Sequence, residues 1–153
     1  MKKLSLACFF LALAAEALCS GPSSYSIRFG VIETSPAGVS TIRETTTLPL
    51  KLEDTGFLFG FAIVPPDDRP FSLKYVLHLP SAPKHLGGGF AKANPGKPTS
   101  TIRSFTKQLS ARGRMVPIQP LSFDPGDPIG TWKVEIFVNG QLQKVQSFTV
   151  TPP

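Results

Sequence analysis

Few residues in this sequence have side chains that could perform acid–base or nucleophilic chemistry. His78 and His85 are the only imidazoles. A nucleophilic hydrolase needs a serine or cysteine within reach of an imidazole that an acid orients. Serines are plentiful, but none has the Gly-x-Ser-x-Gly setting of a strained nucleophile turn. His78 falls on the polar side of an alternating stretch, and His85 follows Lys84 in a Pro/Gly-rich segment. Both read as solvated surface histidines, so no catalytic residue is assigned and no enzyme is expected. Asp124-Pro125-Gly126-Asp127 offers two carboxylates, too few acidic oxygens for a calcium site. With Glu53-Asp54 and Asp67-Asp68 it reads as a turn former. Gly87-Gly88-Gly89 lacks the Gly-Lys-Ser/Thr ending and following helix of a phosphate loop. Neither a metal nor a cofactor is expected.

Charge segregation is the stronger signal. From Arg69 to Arg114 there are nine basic residues and no acidic one. Seven of them, Lys84, Lys92, Lys97, Arg103, Lys107, Arg112 and Arg114, make a positive field if the Pro80–Ser100 loop and the strand after it share a face. Arg103, Phe105 and Lys107 have one strand parity and hence lie on one side of a sheet, an aromatic between two cations. The competing explanation is that spaced lysines and arginines merely solvate a Pro/Gly-rich region.

The N-terminus bears on which partners such a field would meet. Met1-Lys2-Lys3 precedes an apolar run from Leu4 to Ala15, then Ala15-Glu16-Ala17. That order is expected of a signal peptide cleaved after Ala17, with Cys19 or Ser20 as later alternatives. The run falls short of the ~20 residues that span a bilayer, so no transmembrane segment is expected in the mature chain. Leu18 and Glu16 match lipoprotein processing at Cys19 poorly. Cys8, the only other cysteine, lies inside the leader, so no internal disulfide is expected. Removing Lys2, Lys3 and Glu16 from 16 basic and 10 acidic residues leaves 14 against 9, a mature charge near +5. A periplasmic or secreted chain of that charge suits anionic lipid headgroups, lipopolysaccharide or an acidic protein surface. Nucleic acid is not expected as a partner.

The elements that must position these residues are strands. Sixteen prolines oppose long helices, and no stretch shows sustained apolar spacing at i, i+3, i+4 and i+7. Residues 18–23 read as a flexible lead-in and 24–153 as one domain. Strands are predicted over Ser24–Glu33, Val39–Thr46, Phe57–Val64, Phe71–Leu79, Thr101–Leu109, Met115–Phe123, Trp132–Val138 and Leu142–Val150. Val39–Thr46 is half polar and suits a sheet edge. Phe57–Val64 is apolar on both faces and suits a central strand. Asn139-Gly140 supplies the positive-φ residues of a tight hairpin. A strict two-residue turn would put Phe148 and Val150 on the face opposite Trp132, so a bulge or longer loop is predicted there. Seven or eight short strands imply an antiparallel β-sandwich, with a small barrel as the alternative.

The run Phe123-Asp124-Pro125-Gly126-Asp127-Pro128-Ile129-Gly130-Thr131-Trp132, its alternating sequel to Gly140, and Phe148-Thr149-Val150 resemble the closing hairpin of Ig-like modules in exported bacterial proteins. The chain looks like an uncharacterised family of such domains, short and preceded by a signal peptide. The resemblance implies an Ig-like β-sandwich without the core cysteine pair of antibody domains. It implies no activity, because sandwiches host many functions. The expected role is a non-enzymatic exported binding or accessory module that uses the basic loop face. The alternatives are an assembly subunit joined through an exposed strand edge, at Val39–Thr46 or Thr101–Leu109, and a cryptic enzyme.

Overall fold

A computed structural model of the chain describes residues 25–52, 56–85, 95–96, 98, 100, 104–111 and 118–153. The predicted leader, most of the Pro80–Ser100 loop, and the site residues Lys92, Lys97, Arg103, Arg112 and Arg114 lie outside these residues.

Apolar residues at every second position become strands with one face turned to a core. Among the described residues nine form: β1 (Ser26–Thr34), β2 (Ser40–Glu44), β3 (Thr47–Pro49), β4 (Leu58–Val64), β5 (Phe71–His78), β6 (Ser104–Ala111), β7 (Ile118–Leu121), β8 (Gly130–Val138) and β9 (Gln141–Thr151). They build a four-stranded sheet in the order β2-β1-β4-β7 and a five-stranded sheet in the order β3-β9-β8-β5-β6. Among the described residues no helix is long and apolar enough to cross a membrane.

The β-sandwich expected from the sequence is the fold. Among the described residues the strand count is nine rather than seven or eight; the added strand, β3, is only three residues long and ends on a proline. The chain leaves β2 in one sheet and enters β3 in the other within two residues. β3 then pairs in parallel with β9, the one departure from antiparallel pairing among the described residues. β4 takes the interior position predicted for it, and β2 and β6 are edges.

The inner faces of the two sheets form the main core. Phe59, Phe61 and Ile63 of β4 meet Leu73, Tyr75, Trp132, Val134, Ile136, Phe148 and Val150, all buried. Full burial of one such side chain is worth about 1.5–3 kcal/mol. The rings interlock: Phe59 stacks on Phe123 at 4.6 Å, and Phe61 meets Tyr75 edge-on at 5.3 Å. The other face of β4 carries Ala62, which joins Ile32 and Ile42 in a small second cluster on the outer side of its sheet. This is why the β4 sequence reads as apolar on both faces. Gly60, paired with Gly30 of β1, has φ +155°, and a Cβ there would collide with the Gln119 carbonyl of β7.

In the closing hairpin Val138 pairs with Gln141 across Asn139 (φ 51°) and Gly140 (φ 80°), a two-residue turn. The register then shifts: Ile136 opposes Lys144, while Phe137 opposes Leu142, leaving Gln143 as the extra residue of the predicted bulge. Beyond it Trp132 pairs with Phe148 and Gly130 with Val150, so the large apolar side chains share one face. The same shift turns Lys144 inward, and its Nζ donates to the Ile27 carbonyl of the opposite sheet at 2.8 Å. Asn139 fastens the turn to β5: its N–H donates to Ser72 O, and its Oδ1 accepts from Ser72 N, both at 2.9 Å.

Candidate functional site

The segment after β5 and the segment before β8 meet at one end of the sandwich. Pro125 and Gly126 (φ 94°) occupy the central positions of a type II turn, closed by Asp127 N–H donating to Asp124 O at 3.0 Å. Asp127 Oδ2 in return accepts from Asp124 N–H at 2.9 Å. Asp124-Pro125-Gly126-Asp127 is therefore the turn it was read as, while Glu53-Asp54 lies outside the described residues. Gly126 O accepts from the Lys84 N–H at 2.8 Å, which joins the two segments. A side chain at Gly126 would press on His85, so the close approach needs glycine. Trp132 Nε1 donates to Pro128 O at 2.8 Å and ties the turn to the core.

Between the two segments lies a cleft of about 470 Å³, within the range of small-ligand sites, roughly 300–1,000 Å³. Its walls include Leu50, Ser81, Lys84, His85, Asp127 and Ile129. Lys84 and His85 are exposed, and Ile129 is half out of the protein at 51%. Asp127 is the only buried polar or charged residue among those described. Burial pushes its carboxyl up to about 6, the neighbouring Asp124 carboxylate adds to the rise, and the Asp124 N–H bond opposes it. Near that pH the group can give or take a proton inside the cleft.

Asp127 was not singled out from the sequence as anything beyond a turn former. An acid between Gly126 and the apolar pair Pro128-Ile129 is a weak local hint. Its burial depends on Lys84 and His85 arriving from far earlier in the chain, which no local pattern shows.

Of the seven basic residues expected to form a face, Lys84 and Lys107 are within the described residues. Lys84 stands at the cleft. Lys107 is on β6 opposite Tyr75, so it shares the side of the sheet that Leu73, Tyr75 and Leu77 turn to the core, at the open edge. Phe105, the aromatic between Arg103 and Lys107, is half-buried, packed beside Tyr75 at 6.0 Å between ring centres. The other two described cations of the stretch have local partners. Arg69 donates Nε and Nη2 to Asp67 at 2.9 and 2.7 Å, and Lys74 lies 5.0 Å from the centre of the Phe137 ring.

His78 departs from the expected solvated histidine. It lies on the outer face of its sheet, yet its Nε2 is enclosed, 3.2 Å from Glu135 Oε2 but off the line of a hydrogen bond. Glu135 also accepts from Lys133 Nζ at 2.7 Å, and the Lys133 bond first, then the neighbouring His78 ring, holds its carboxyl below the usual range. Among the described residues no group of three or more His, Cys, Asp or Glu is placed to hold a metal ion.

The sequence profile of the PM0630 beta sandwich domain matches residues 27–151, a span that holds almost all of the nine strands. The chain belongs to this family. Among solved structures it is similar to an immunoglobulin-like protein from Pseudomonas aeruginosa, at 21% identity and a TM-score of 0.46, over 85% of this chain and 98% of that one. It is also similar to the Pseudomonas fluorescens alkylpurine DNA glycosylase AlkC bound to abasic-site DNA, at 11% identity and a TM-score of 0.36, over 81% of this chain and 30% of that one. No curated protein matches the sequence. A β-sandwich domain is thus the level at which the family describes the molecule.

Proposed function

We propose that the protein is a non-enzymatic binding module, exported to the periplasm or beyond, that meets an anionic or protein partner at the loop end of the sandwich. Lys84 carries this reading. Its side chain is exposed at the rim of the cleft, while its backbone N–H is pinned to Gly126, so the cation is presented from a fixed base. A fixed anchor lowers the ordering cost of binding. The sequence places Lys92 and Lys97 in the same loop, with no acidic residue between them and Lys84. Positive fields of this kind speed the encounter with anionic partners and weaken with salt.

The test is a pull-down from cell-envelope extract at low and high salt, with the protein and with its Lys84→Gln/Lys92→Gln/Lys97→Gln variant. A partner held at low salt, released at high salt and lost by the variant is the expected result. Equal capture by the triple variant would remove the basic loop from the account.

A further inference from the structure

Four strands end the two sheets, and three of them are blunted in the ways that proteins use to prevent stray pairing. β3 has three residues, β7 has four and contains Pro120, and β2 has five with Arg43 paired to Glu33. β6 is different. It runs for eight residues, Ser104–Ala111, without proline or acidic side chains.

The direction of its backbone groups follows from its neighbour. Ser72 exchanges hydrogen bonds with Asn139, so the N–H and C=O of Ser72 point away from β6, towards β8. By alternation the groups of Phe71, Leu73, Tyr75 and Leu77 point at β6, where their partners are Ala111, Leu109, Lys107 and Phe105. The N–H and C=O groups of Ser104, Thr106, Gln108 and Ser110 therefore face outward from the sheet. Among the described residues no strand pairs with that edge.

The side chains beside this row state what would fit. Phe105 and Leu109 are half-buried, on the inner side of the sheet, and the exposed Lys107 stands between them. A strand added to the edge would place one residue in a non-hydrogen-bonded pair with Lys107, the pair type with the closest side chains. A second copy of β6, in the antiparallel register that pairs all four outward-facing residues, would set Lys107 against Lys107, which like charges disfavour.

We propose that the open edge of β6 captures an extended peptide strand carrying a carboxylate opposite Lys107, with an apolar residue two positions to each side. Main-chain pairing supplies the affinity, as in other cases of strand addition, and the Lys107 carboxylate pair supplies the selection. The edge needs neither Lys84 nor the cleft, so it goes beyond the function proposed above.

The experiment uses the ¹⁵N-labelled protein and a blocked heptapeptide, acetyl-Thr-Val-Thr-Asp-Thr-Val-Thr-amide, beside its analogue with a central lysine. The aspartate peptide is expected to slow amide exchange at Thr106 and Gln108 and to bind about five- to tenfold more tightly than the lysine peptide. Lys107→Glu should reverse that order. Gln108→Pro should abolish binding while sparing the β5 ladder, because the lost N–H faces outward. No protection at β6, equal affinity for the two peptides, or an unchanged preference in Lys107→Glu would overturn the proposal. Protection that grows with protein concentration in the absence of peptide would do so too, by assigning the edge to a second copy. The two sets of tests alter different residues, so failure here leaves the Lys84 cleft standing, and the reverse.

Discussion

Asp127→Asn removes a charge from the cleft and keeps an oxygen to accept the Asp124 N–H. The folded carboxyl titrates at about 6 against an ordinary 3.8. That rise of about two units amounts to about 3 kcal/mol of penalty on the ionised form. The amide escapes the penalty but brings two N–H donors that must find water in the cleft, which lowers the expected net gain to about 2 kcal/mol. The sign of the pH dependence follows from proton counts. The unfolded chain loses this proton near 3.8 and the folded one near 6, so within that window the folded state holds more protons. Stability contributed by this group therefore falls as pH rises through the window, and the cost is complete above it. Asp127→Asn should fall about 1 kcal/mol below the parent near pH 4, where only the amide's cost remains, and exceed it at about pH 8, with a Tm higher by roughly 4–10 °C. Urea unfolding, followed through Trp132 fluorescence at both ends of the range, measures this. A variant less stable at the alkaline end, or a gap that does not change with pH, would refute the assignment of the penalty to this carboxylate.

Three further substitutions probe the frame. Gly60→Ala forces a Cβ into the Gln119 carbonyl at a φ that only glycine tolerates, and should cost about 2–4 kcal/mol in chemical denaturation. Deleting Gln143 removes the bulge and leaves a regular ladder in which Trp132 still opposes Phe148 and Gly130 still opposes Val150; the cooperative thermal transition is expected to survive, and its loss would show that the bulge does more than set the register. Lys144→Met loses the bond to Ile27 O across the sandwich and leaves that carbonyl without this donor, so its urea midpoint should fall by the equivalent of about 1–2 kcal/mol.

Strand positions were legible wherever alternation was strong, because the side-chain period of a strand is a property of the residues themselves. Phe57–Val64 read as central from its two apolar faces, and β4 has a buried cluster on each side. The bulge in β9 was legible for a sharper reason: Asn139-Gly140 dictates the turn, and only a shifted register lets Trp132 and Phe148 share a face. β3 was not legible, since three residues show no period and its partner, β9, lies about 100 residues further along. The cleft escaped for the same reason. Lys84 and Gly126 belong to separate loops, and nothing local to either shows that one donates to the other. Phe105 read as an aromatic between two cations because parity says which residues share a side of a sheet. It does not say which side faces the core.

β9 lies between β3 and β8, with hydrogen-bonded neighbours on both sides. Of the nine strands it is the latest in sequence, yet it occupies an inner position of its sheet. A nascent chain that has emerged only as far as β8 has β3 with no sheet neighbour and Trp132 with no Phe148 beside it. The five-stranded layer therefore cannot close progressively from the N-terminus. It waits for residues 141–151 and then forms contacts of very long sequence separation, a topology that folds slowly. Interrupting synthesis shortly before Gln141 would leave half a sandwich rather than a smaller one.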